Sequence, residues 1–151
     1  MSQPLPHPLR VSKTIAIAFL IIAAIGFFDA SYLTFQHFFS GPLPCLTGGC
    51  EIVTTSEYST IIGIPVALLG ALYYFSQLIL LIAYFESKSL VPLKLAAQIS
   101  IAGLLASLYF VSLQLFIIKA ICQYCMLSAI TSTLLFFLGL RIQRLLKMHS
   151  E

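Results

Sequence analysis

The chain holds four cysteines in two close pairs: Cys45 and Cys50 enclose Leu46-Thr47-Gly48-Gly49, and Cys122 and Cys125 enclose Gln123-Tyr124. Sulfurs at i and i+3 share one face where a helix begins. The free N–H groups and dipole at that end favour negative charge, hence a thiolate. The thiolate is the nucleophile of disulfide exchange, so this CxxC predicts a redox-active pair. The bland alternative is two packed core cysteines. In the other pair, Gly48-Gly49 permits a tight reversal, while Pro42 and Pro44 stop a helix from running through. Such a loop closes a small exposed ring, either a disulfide open to thiolate attack or a static staple. Four sulfurs also invite a zinc reading, but zinc sites usually organise small polar folds, and we expect redox chemistry with no metal.

The elements that position these sulfurs lie in lipid. Hydrophobic residues make up 60% of the 151-residue chain and charged residues 9%, against about a quarter charged in soluble domains. A chain this short cannot hide so much apolar surface from water. Four apolar stretches, about 14–35, 60–85, 93–118 and 122–140, each approach the roughly 20 residues that cross a hydrocarbon core. The expectation is an all-α membrane protein, a bundle of four transmembrane helices forming one integral membrane domain over residues 1–151. A cleaved signal peptide over the first stretch is the weaker reading, because the stretch is long and no small-residue cleavage site closes it. The net charge of +3 forms no basic patch interleaved with aromatics, which argues against a nucleic-acid partner.

The basic residues orient the bundle. Arg10, Lys13, Lys88, Lys94, Arg141, Arg144 and Lys147 fall on one side of a four-span topology, and Lys119 alone on the other. Both termini are expected to be cytoplasmic, with 36–59 and 119–123 outside. All four cysteines then share the outer face, which in a bacterium is the periplasmic side of the inner membrane, where disulfides persist.

Asp29 is the one acidic residue inside a stretch, and intramembrane carboxylates are functional candidates. It is expected one to two turns from the outer end of its span, where it could handle protons, reach water or pair with Lys119. Ser56 competes with Thr54, Thr55 and Ser59 as a loop hydroxyl, and such groups are mostly solvated or capping. Glu51, Glu57 and His37 are expected at the surface. Tyr73, Tyr74 and Phe110 are candidates to line a pocket.

The loop pair ending at Cys50, Ser56, the Gly63–Gly70 stretch GIPVALLG, the CQYC opening the last span, and Ser31-Tyr32-Leu33-Thr34 together resemble bacterial vitamin K epoxide reductase homologues. The resemblance runs from about Phe19 to Leu140. It implies a bundle around a quinone pocket capped by the outer loop, with the CxxC beside the ring. A reduced thioredoxin-fold partner would attack Cys45, a Cys50–Cys122 bridge would form transiently, and Cys125 would deliver electrons to a membrane quinone such as ubiquinone, menaquinone or a related vitamin K-type quinone. Ser56 would be the family's hydroxyl near the CxxC or the quinone. Many relatives carry a fused thioredoxin-like domain; this chain ends at Glu151, so a separate periplasmic partner is expected. Ala129 stands where the animal enzymes have a tyrosine and Ser59 where they have an asparagine, departures that weaken vitamin K epoxide reduction. The implied function is a thiol oxidase supporting disulfide formation. The alternatives are an epoxide or quinone reductase producing quinol, and a transporter or structural bundle with a stapled loop. A transporter would show broken helices or buried polar residues near the midplane; only Pro65 interrupts a span.

Overall fold

The computed structural model describes residues 13–39, 41–87 and 89–148. Arg10 and Lys88, two of the orienting cations, lie outside the described residues. The long helices are α1 (Lys13–Phe39), α3 (Val66–Ser87), α4 (Leu90–Ser112) and α5 (Gln123–Met148), with the short α2 (Cys50–Thr54) between the first two. By length and composition each long helix can cross a membrane, α4 together with the π turn Leu113–Ile118 that continues it.

Side-chain size explains how the helices pack. On α1 the buried residues Ala16, Phe19, Ala23, Gly26, Ala30 and Leu33 recur every three or four positions, the period of one helical face. Ile17, Ile21, Ile25 and Phe28 lie exposed on the other side. A helix that is apolar all round suits lipid outside and packing inside. The long helices close a ring in which α1 packs on α3, α3 on α4, α4 on α5 and α5 on α1. Phe19, Tyr74, Leu81, Leu93, Leu135 and Ile142 fill its core. Small residues let backbones approach without hydrogen-bonded ladders being broken; Gly26 lies under the Tyr74 ring, and Gly139 faces the Ala97 backbone.

Three boundaries differ most from the sequence expectation. The second helix begins at Val66 rather than near residue 60, because Thr60–Ile61 (β1) and Ile64–Pro65 (β2) pair antiparallel. Ile62 and Gly63, at φ 52° and 78°, form the two-residue turn between them, and positive φ at both positions is the type I′ hairpin geometry. Hydropathy could not separate this apolar hairpin from a helix. The first helix runs to Phe39, past 35, and the last to Met148, past 140. Arg and Lys are good helix formers, so Arg141 does not end α5.

Residues 41–65 cap one end of the ring. They comprise the cysteine loop, α2, a 3₁₀ turn at Glu57–Ser59 and the hairpin. At the same end, the π turn stops at Lys119, which takes the left-handed conformation at φ 55°, and the chain turns back into α5.

Candidate functional site

Cys45 and Cys50 form a disulfide with Cα atoms 6.0 Å apart. Gly48 turns the loop at φ 69°. A Cβ on Gly49 would meet the Ile121 carbonyl oxygen at 2.6 Å, so glycine there lets the loop lie directly on the chain that leads into the CxxC. Thr47 Oγ1 donates to the Ile121 carbonyl at 2.8 Å. The Leu46 N–H donates to Gln123 Oε1 at 3.0 Å, and Tyr124 Oη donates to the Pro44 carbonyl at 2.9 Å.

Cys122 stands one residue before α5, and its carbonyl accepts the Met126 N–H at 3.0 Å. That bond makes it the N-cap residue. Its own N–H donates to the buried Gln114 Oε1 at 3.0 Å. Cys122 and Cys125 are thiols. The Cys125 thiol hydrogen-bonds the Cys122 sulfur, the Cys125 and Tyr124 N–H groups assist, and burial opposes. The balance lowers Cys122 from 9.0 to about 7. Hydrogen bonding to the charged form is the cause.

The four cysteines differ in access. Cys50 and Cys122 are 0% exposed and pack in one cluster, against which the partly buried Cys45 and Cys125 rest. A cavity of about 960 Å³ opens beneath the cap, bounded by α1, α3, α4 and α5. Cys125 lines it; Cys45, Cys50 and Cys122 do not. Sulfur access therefore passes from the loop surface, through two buried residues, to an internal cavity.

Ser56, Ser59 and Ala129 all border this cavity, as do Tyr73, Tyr74 and Phe110. Ser56 Oγ donates to the Val53 carbonyl at 2.7 Å, so its proton is committed locally and its oxygen is left to accept. Tyr74 Oη is bonded to the Ser128 carbonyl and Thr131 Oγ1, both at 2.7 Å. Tyr73 Oη is buried beside Gln77 and makes no hydrogen bond of normal geometry. An unpaired buried donor is costly unless something accepts from it, and a carbonyl oxygen within the cavity would serve.

α1 continues further beyond Asp29 than expected. Phe39 ends the helix ten residues beyond it, about 15 Å at 1.5 Å per residue. Asp29 is 8% exposed, and its Oδ2 has no hydrogen-bond partner. Pairing with Lys119 is not found among the described residues. Its electrostatic neighbours are Cys122, Cys125 and Tyr74. His37, Glu51 and Glu57 are exposed on the cavity rim. Among the described residues no group of three or more His, Cys, Asp or Glu could hold a metal ion.

Sequence reasoning missed Gln114, Gln123 and Tyr124. Gln114 carried a signal, an amide within an apolar run, and polar groups in lipid need partners. Gln123 and Tyr124 carried none, because any residue type can stand between two cysteines.

No curated protein matches the chain. The family model described as the vitamin K epoxide reductase family matches residues 17–140, which contain all four cysteines and all four membrane helices in whole or large part. The chain belongs to the vitamin K epoxide reductase family of quinone-linked membrane oxidoreductases.

Proposed function

We propose that the chain oxidises the thiols of a separate thioredoxin-fold protein and passes the electrons to a membrane quinone, in support of disulfide formation. The observation that carries this reading is the order of access along the four sulfurs: Cys45 partly exposed, Cys50 and Cys122 buried together, and Cys125 on the cavity wall. The cavity fits a quinone head group. Its volume of about 960 Å³ is near the upper end of ligand sites at ~300–1,000 Å³. It is also lined by a buried phenol, Tyr73, whose hydroxyl makes no well-formed hydrogen bond.

The chain's own chemistry follows from that order. A partner thiolate attacks Cys45 and releases Cys50; the second partner thiol resolves the mixed disulfide, so the partner leaves oxidised and the loop pair is reduced. The Cys50 thiolate then attacks Cys122 of an oxidised CxxC, forming the Cys50–Cys122 bond and releasing Cys125 as thiolate. Cys45 attacks Cys50 in turn, which restores the loop disulfide and leaves Cys122 and Cys125 reduced. A bound quinone would accept the two electrons and two protons given up when Cys122 and Cys125 close again. Ser56, Ser59, Ala129 and Tyr73 would shape the ring site. Asp29, beside the CxxC and short of a partner for Oδ2, would handle one of the protons.

The proposed setting is a bacterial inner membrane, with residues 1–151 as one membrane domain, both termini cytoplasmic and the cap in the periplasm. Lys13, Lys94, Arg141, Arg144 and Lys147 support that orientation. The test is reduction of a soluble quinone by a dithiol-reduced thioredoxin-fold protein, with the chain in detergent. Cys125→Ser should lower turnover by more than about a hundredfold, an effect in the range of losing the group that reacts. Wild-type turnover in Cys125→Ser would refute the assignment.

A further inference from the structure

The two residues between the CxxC cysteines do not point idly outward. Gln123 Oε1 accepts the Leu46 N–H at 3.0 Å, and Gln123 Nε2 donates to the Pro44 carbonyl at 3.4 Å. Tyr124 Oη donates to the same Pro44 carbonyl at 2.9 Å. Pro44 and Leu46 are the chain neighbours of Cys45. The Tyr124 ring packs on Tyr32 with centroids 5.3 Å apart, and Tyr32 Oη accepts from Gln36 Nε2 at 2.9 Å. The grip on the loop is thus braced against α1.

We infer that Gln123 and Tyr124 are positioning residues for internal disulfide exchange, gripping the main chain on both sides of Cys45 so that the loop disulfide stays seated on Cys122. The inference rests on the relay proposed above and adds a device to it. Three side-chain bonds hold backbone rather than sulfur, so they persist whichever sulfurs are bonded. When Cys122 and Cys50 join, the Cys45 sulfur is set free, yet Pro44 and Leu46 remain held and Cys45 stays within reach to reform its bond. Exchange rates are sensitive to such alignment, because a misplacement of about 1 Å can cost about a hundredfold.

The test uses full-length Cys125→Ala, in which the Cys122 thiolate attacks Cys50 of the loop disulfide, the Cys50–Cys122 bond forms, and Cys45 leaves as thiolate. No net oxidation occurs, and trapping Cys45 with a maleimide reports the rate. In this background, Gln123→Ala with Tyr124→Phe should slow trapping about tenfold, and each single change should fall between. Gln123→Glu keeps the acceptor for the Leu46 N–H and should recover most of the rate at an unchanged melting temperature. Parental trapping rates in the double variant would overturn the inference while leaving the relay standing. Equal slowing in Gln123→Glu, or slowing matched by a fall in melting temperature, would also overturn it. No Cys50–Cys122 bond in Cys125→Ala itself would instead bring down the relay, and the inference with it.

Discussion

The Cys122 main-chain N–H donates to Gln114 Oε1 at 3.0 Å, and both residues are buried. This bond fastens the first residue of the CxxC to the π turn that ends α4. π turns are rare and occur often at functional sites; here the turn brings a polar side chain from a lipid-spanning run to the cap. Gln114→Leu should cost about 1–3 kcal/mol, the range for stranding a buried N–H. Thermal melting in detergent measures it, and an unchanged midpoint would show that the amide finds another partner.

Cys122 should titrate near neutrality. With the loop disulfide closed, the thiolate absorbance should have a midpoint at about 7, below the ordinary 9.0, because the Cys125 thiol donates to the Cys122 sulfur. The thiol form dominates below that midpoint and the reactive thiolate above it, so exchange from Cys122 should rise as pH climbs through neutrality. Cys125→Ala removes the principal donor and should move the midpoint up toward 9.0. A midpoint that stays put would place the cause elsewhere.

Asp29→Asn keeps the shape of the side chain and removes its proton. Quinone turnover should fall by about a hundredfold, the low end of general acid–base contributions, with the Cys45–Cys50 disulfide intact. Turnover equal to wild type at every pH would show that Asp29 only fills space beside the CxxC.

Gly26→Ala tests the packing that holds Tyr74. A Cβ at this position would overlap the Tyr74 ring, and Tyr74 is bonded to Ser128 and Thr131 across the bundle. Overpacking usually costs about 1–3 kcal/mol, so the melting temperature should drop. A melting temperature equal to wild type would mean that α1 and α3 part without loss.

Much of this architecture was legible because membranes impose simple rules. Apolar length announced four helices, and glycines between Cys45 and Cys50 announced a turn. What escaped depended on cross-chain geometry. The hairpin at Thr60–Pro65 is as apolar as the helix it precedes, and only the positive φ of Ile62 and Gly63 reveals it. The full length of α1 escaped because it continues through polar Gln36 and His37 to Phe39. Ser56 reached the cavity wall, yet its proton goes to Val53, a local bond that spacing cannot disclose. The roles of Gln114, Gln123 and Tyr124 needed partners 8, 77 and 80 positions away.

Exchange in the order Cys45, Cys50, Cys122, Cys125 leaves a signature that one disulfide map can read. Purified Cys125→Ala, held in alkaline buffer where Cys122 is a thiolate, is alkylated, digested and mapped by mass spectrometry. The expected product is a Cys50–Cys122 disulfide with Cys45 alkylated. A Cys45–Cys122 bond, or Cys45–Cys50 unchanged with Cys122 alkylated, would contradict that order.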